Sequence, residues 1–248
     1  RMQFLSIQSS VAYGYVGNTS AGFCLRRLGH EVWAVSTVHF SNHSRYGQVR
    51  GPVFDPDDIR EVITGVGERG AFPTVDAVLS GYQGAETVGA VILDAVDQVK
   101  AANPNALYCC DPVMGDVGRG FFVRPGIPEF MRDAVLPRAD LLIPNQFELE
   151  FLSGHETGTL DELPAVLDAV DALRATGPRT VLVTSLHTGD IPAEEIAMLA
   201  VTDEGAWSVR TPRLTSCGAA TRPSRTTRCS RRCSTAKTRR SSTAGRPH

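Results

Sequence analysis

Along the first 210 residues, short apolar runs alternate with longer stretches whose apolar positions recur at helical spacing. Residues 3–8 read as a strand that ends in Ser9-Ser10. Residues 17–28 read as a helix with Ala21, Cys24, Leu25 and Leu28 on its inward face and Asn18 or Thr19 as its cap. A second strand is expected at 31–38, then a polar loop over 41–51 and a helix over 56–66 with an acidic first turn. A buried strand at 75–80 precedes a long helix over 85–102, with Val88, Val91, Ile92, Ala95 and Val99 turned inward. Strands at 106–110 and 141–143 flank a helix over 128–135. An amphipathic helix over 160–176, a strand at 180–184 and a hairpin built from 196–201 and 207–210 complete the series. Such alternation, with no internal repeat and no linker, predicts one α/β domain with a mostly parallel central sheet and helices on both faces.

The pattern then stops. Leu214 is the last large apolar residue, and 215–248 contains no Val, Ile, Leu, Met, Phe, Tyr or Trp. Residues 211–248 hold nine Arg and one Lys with no Asp or Glu, a charge of +10; the whole chain carries −2, which leaves −12 on residues 1–210. A segment of that composition cannot bury a core. The expected organisation is therefore a folded unit over 1–212 and a basic, disordered tail over 213–248. A tail that binds nucleic acid or acidic lipid is the rival reading, but it lacks the interleaved aromatics of a stacking surface. No apolar run approaches the roughly 20 residues that span a bilayer, and no secretory leader is recognised. The six cysteines fit no disulfide framework or zinc spacing and read as reduced thiols of a cytoplasmic protein.

Candidate chemistry concentrates in two acidic segments, Asp111-Pro112-Val113-Met114-Gly115-Asp116 and Pro144-Asn145-Gln146-Phe147-Glu148-Leu149-Glu150, each behind a short strand. Carboxylates would then stand at the carboxyl ends of neighbouring strands, where open α/β sheets bind ligands. Mg²⁺ and ordered water around a nucleotide's phosphates suit such a place. Strand-end carboxylates also cap helices, as Asp116 would before Val117. Ser9 offers a small hydroxyl suited to a ring nitrogen or phenolic oxygen, or is a turn serine. Tyr82 after Gly81 would stack on a flat ring, or is a core tyrosine. His43, His155 and His187 form no nucleophile or metal pattern and read as ordinary polar residues.

Six elements in order resemble the pyridoxal kinases of the ribokinase-like superfamily. They are Ser6-Ile7-Gln8-Ser9 with Gly14-Tyr15-Val16-Gly17-Asn18; Phe40-Ser41-Asn42-His43-Ser44 with Tyr46-Gly47; Gly81-Tyr82; the two acidic segments; and Val183-Thr184-Ser185. The resemblance implies transfer of the γ-phosphate of ATP to the 5′-hydroxyl of pyridoxal, in a commonly dimeric protein. It implies that Ser9, Ser44, Arg45 and Tyr82 hold pyridoxal. Asp111, Asn145, Glu148 and Thr184 would serve ATP, Asp111, Asp116 and Glu148 would order Mg²⁺, and K⁺ or Na⁺ would sit near Thr184. A hydroxymethylpyrimidine kinase, or a non-catalytic vitamer-binding or degraded protein, are the alternative readings.

The resemblance also implies a Gly-x-Gly-Asp element after the last hairpin, followed by helices over the sheet. There the amides hold the transferring phosphate and the Asp is the base. This chain reads Leu214-Thr215-Ser216-Cys217-Gly218-Ala219-Ala220-Thr221 instead, with no Asp or Glu after Glu204. A shifted reading frame near Gly218 is the expected cause, and no catalytic residue is assigned. The C-terminal helices are expected to be missing, and the chain to be poorly soluble with little or no kinase activity.

Overall fold

The computed structural model describes residues 1–213 and, of the segment beyond, the backbone of 235–238. The strands are β1 (Gln3–Tyr13), β2 (Glu31–Asn42), β3 (Ala77–Ser80), β4 (Leu107–Cys110), β5 (Gly115–Asp116), β6 (Gly120–Phe121), β7 (Leu141–Leu142), β8 (Thr180–Leu186), β9 (Glu195–Thr202), β10 (Gly205–Pro212) and β11 (Thr235–Thr238). The helices are α1 (Asn18–Arg27), α2 (Pro56–Glu68), α3 (Glu86–Ala102), α4 (Ile127–Phe130), α5 (Gln146–Leu152) and α6 (Leu163–Arg174). Local signals explain several of them. In α2, Asp55 caps by accepting from the Asp57 amide at 2.9 Å, Pro56 opens the first turn, and Asp57 and Asp58 face the helix's positive end. In α3 every residue expected inward is buried.

One sheet runs in the order β2-β1-β3-β4-β7-β8-β9-β10-β11, with β5 and β6 forming a separate hairpin. Pairs from β2 to β8 are parallel, and β8, β9 and β10 pair antiparallel. The mostly parallel sheet is as expected, and so is the terminal hairpin. Since β1 lies between β2 and β3, the chain reverses its direction of winding there, which opens a crevice beyond the carboxyl ends of these strands.

The two faces of the sheet differ. Leu5, Val78, Tyr108, Leu142, Val181, Val201 and Ala206 are buried in one core with the inward residues of α2, α3 and α6. On the opposite face α1 covers Ser6, but Leu79, Cys109, Leu141, Leu182, Ala200 and Trp207 are only half-buried, and Leu107 and Met198 are 43% and 42% exposed.

Four expectations need correction. The first strand does not stop at residue 8 but continues to Tyr13 past an irregularity between Gln8 and Ser10, so two polar serines mark a bulge rather than an end. In α1 the inward residues are Asn18 and Gly22, while Phe23, Cys24 and Leu28 are exposed. Asn18 makes no cap; buried, it bonds Ser6 and the carbonyls of Gln8 and Val35. The helix expected over 128–135 is one α-turn of α4 passing into a wider turn over Met131–Val135. Within the expected disordered tail, Thr235–Thr238 pairs along β10, whose outer edge would otherwise present free amides and carbonyls. The proposed frame change, the absent base and the missing helices fall on residues outside those described.

Candidate active site

Asp111 follows β4 directly, its amide donating to the Ser80 carbonyl at 2.9 Å. Beyond the adjacent strand β7, Asn145 caps α5: its side chain accepts from the Glu148 amide at 2.9 Å, and Glu148 Oε2 accepts from the Asn145 amide at 2.9 Å. Glu148 Oε1 accepts from the Met114 amide at 2.9 Å, and Asn145 Nδ2 donates to the Gly115 carbonyl at 2.8 Å. Thr184, near the end of β8, donates its amide to the Pro144 carbonyl at 2.8 Å. One polar knot thus ties together the ends of β4, β7 and β8. Only a glycine fits at 115, because a Cβ there would collide with the Phe147 ring. Glu148 therefore does the capping work that was weighed against its chemical role.

Burial pushes the Asp111 carboxyl up to about 7. Glu148 rises to about 8, chiefly by burial and then by the Asp111 charge, although its amide partners pull the other way. No cationic side chain among those described pairs with either. Two carboxylates that line one cavity without a cationic partner suit Mg²⁺, which keeps most of its water and takes only one or two protein carboxylates beside phosphate oxygens. Asp116 lines the same cavity, where it accepts from its neighbour's amide, Val117, at 2.9 Å and pairs with Arg45. No group of three metal-binding side chains exists among the described residues.

A cavity of about 590 Å³ brings together Asp111, Asp116, Asn145, Glu148, Thr184 and Arg45. A second, of about 730 Å³, brings together Ser9, Ser44 and Tyr82 with Gln8, Phe40 and Asn42. Asp111, Val113, His43, Arg119 and Phe122 line both, so the cavities join, with Asp111 at the seam. Arg45 is thus parted from Ser44, contrary to their expected joint contact with pyridoxal, because its guanidinium reaches to Asp116 on β5. Tyr82 is half-buried, its carbonyl accepting from Thr37 Oγ1 at 2.6 Å.

Residues given no site role from sequence also belong here. His43 lines both cavities, and burial, with Arg45 and Arg119, lowers its pKa. Arg119 lies over the Phe122 ring at 4.9 Å, in a hairpin that no periodicity announces. Ser185 holds a positive φ of 52° beside Thr184, where β8 slips register.

Gly17 is a backbone requirement of the second cavity. Its φ is 51°, and a Cβ would stand 2.6 Å from Ser9 Oγ and closer still to the Ser9 carbonyl. Gly17→Ala is expected to cost about 1–3 kcal/mol in stability. Thermal melts check this. An unchanged melting temperature would contradict the close packing of Gly17 on Ser9.

The family model for phosphomethylpyrimidine kinase matches residues 73–220. The chain is 59% identical to a pyridoxal kinase of Rubrobacter xylanophilus over 214 residues, covering 86% of this chain and 73% of the relative. It is 58% identical to a pyridoxal kinase of Leifsonia xyli over 213 residues, covering 86% and 74%. Among solved structures, a pyridoxal kinase from Leishmania donovani in complex with ADP and pyridoxamine superposes with a TM-score of 0.77 at 30% identity, covering 86% of this chain and 72% of that one.

Proposed function

Because this chain belongs to the pyridoxal kinase family, we propose that its two joined cavities divide one phosphotransfer between them. The reaction of the family is transfer of the γ-phosphoryl group of ATP to the 5′-hydroxyl of pyridoxal. The first cavity receives the triphosphate and the second the vitamer ring. The observation that carries this reading is Asp111 standing where the cavities meet.

Asp111 and Glu148 are the residues to hold Mg²⁺, whose chemistry when bound is neutralisation of phosphate charge. Asn145 and Thr184 face the phosphates from the ends of β7 and β8, and a monovalent cation, K⁺ or Na⁺, belongs near Thr184. Arg45 and Arg119 add positive charge for the nucleotide. Ser9 donates to the pyridine nitrogen, Tyr82 packs on the ring, and Ser44 closes the far side. Alignment of hydroxyl and phosphate is most of what such a site contributes. The proton of the attacking hydroxyl needs an acceptor. Asp111 and Glu148 are assigned to the cation, and the sequence holds no Asp or Glu after Glu204.

The reading therefore has the chain bind both substrates and turn them over poorly. Titration of the purified chain is expected to give pyridoxal and Mg²⁺–ADP binding, with Ser9→Ala weakening pyridoxal about tenfold and leaving ADP unchanged. Phosphorylation is expected at background. Absence of pyridoxal binding, or tighter binding of hydroxymethylpyrimidine, overturns the reading. Identity with the pyridoxal kinases favours the vitamer over the pyrimidine. We place the protein in the cytoplasm as a homodimer. The family resemblance and the exposed Phe23 on α1 and Leu28 at its C-terminal cap, at 68% and 74%, support the dimer. Among the described residues no helix is long and apolar enough to cross a membrane.

A further inference from the structure

We propose that Gln8 is a specificity-determining residue: its side-chain oxygen is a fixed acceptor that reads the 3-hydroxyl of the vitamer ring. The inference rests on the pyridoxal reading above and deepens it.

Gln8 lines the second cavity beside Ser9, yet is only 4% exposed. Its orientation follows from a chain of hydrogen bonds with no free choice. Asn18 Nδ2 spends its hydrogens on the carbonyls of Gln8, at 3.1 Å, and Val35, at 2.9 Å. Asn18 Oδ1 must then accept, and it accepts from Ser6 Oγ at 2.7 Å. With its single hydrogen used, Ser6 Oγ can only accept, and it accepts from Gln8 Nε2 at 2.9 Å. The amide is thereby locked with Oε1 as its free end, and no described residue donates to that oxygen.

The surroundings keep it there. Oε1 packs on Gly81, where a Cβ would stand 2.6 Å from it, so the glycine makes room for this acceptor. Gln8 Oε1 is not sealed from solvent, so a ligand hydroxyl can take the place of water on it. Pyridoxal carries two hydroxyl donors when its ring nitrogen accepts from Ser9. The 5′-hydroxyl must lie at the Asp111 seam to meet the phosphate. The 3-hydroxyl remains, and it is the group that a ring lacking it would forfeit.

The test compares pyridoxal with 3-deoxypyridoxal by calorimetry on the full chain and on the variants Gln8→Met and Ser6→Ala. The unaltered chain is expected to prefer pyridoxal by about tenfold. Gln8→Met should lose that preference by weakening pyridoxal alone, and Ser6→Ala, which frees the amide to turn, should shrink it. ADP affinity reports whether each variant is folded. A Gln8→Met that binds ADP normally but weakens both ring ligands equally, or neither, overturns the inference. If Gln8→Met loses ADP binding, Ser6→Ala decides, and an unchanged preference there overturns it. Failure of the unaltered chain to bind pyridoxal instead overturns the vitamer reading, and this one with it.

Discussion

Replacing residues 214–248 with the stretch that follows the matched region in the Rubrobacter xylanophilus kinase is expected to raise pyridoxal phosphorylation about a thousandfold or more, the scale on which a positioned general base acts. The described site already supplies both cavities, the Asp111 carboxylate at their seam, Glu148 in the first, and two arginines. It lacks a proton acceptor for the 5′-hydroxyl and amides for the charge of the transferring phosphoryl group. Both belong, by resemblance, to the segment that here holds no acid. The graft would add cover to the sheet as well, so a second chimera separates the two gains. Changing the grafted Asp to Asn should keep the higher melting temperature and return turnover to background. Formation of pyridoxal 5′-phosphate is followed by absorbance. A chimera that binds both substrates without turnover, or an unaltered chain that already works at the chimera's rate, would show that the base was not what was wanting.

Asp111→Asn is expected to move stability and binding in opposite directions. In the folded chain Asp111 keeps its proton to about pH 7 and Glu148 to about pH 8, because burial disfavours their charges. The unfolded chain releases both near pH 4. Between these limits the folded state holds more protons than the unfolded one, so stability falls as pH rises from about 4 towards 8. Without nucleotide, the Asn variant should therefore melt on the order of 5 °C higher than the parent at pH 8. The two should converge near pH 4. Its affinity for Mg²⁺–ADP should fall about a hundredfold, since the strained carboxylate is what the cation would relieve. Melts across pH and titration calorimetry provide the check. A variant less stable at pH 8, or one binding Mg²⁺–ADP like the parent, would remove Asp111 from the nucleotide site.

How much of this was legible in the sequence depended on where the apolar signal was one-sided. α3 buries Val88, Val91, Ile92, Ala95 and Val99 along one stripe, and the spacing alone located it. α5 is buried nearly all round, from Gln146 to Leu152, so it shows no stripe. Its mark was the Asn145-x-x-Glu148 capping box, a role weighed for Glu148 and set below its chemistry. In α1 the apolar side chains were assigned inward, but the contact is made by Gly22 and Asn18, and Arg26 reaches past Gly22 to the Val32 carbonyl.

The site divided in the same way. Asp111 follows a strand end directly and Tyr82, Asn145 and Thr184 stand near one, and such positions are readable, whereas Ser9 sits at a bulge inside β1. The pairing of Arg45 with Asp116 joins residues 71 apart in sequence, and the orientation of Gln8 depends on Ser6 and Asn18 from two elements. No local pattern encodes either.

The uneven cladding of the central sheet carries a thermodynamic consequence. Leu107 and Met198 already meet water in the native state, and their neighbours on that face partly do. Melting this chain would hydrate less new hydrocarbon than melting a fully sheathed sheet of the same length. Its heat-capacity step shrinks accordingly, and the stability curve broadens into a low, shallow arch.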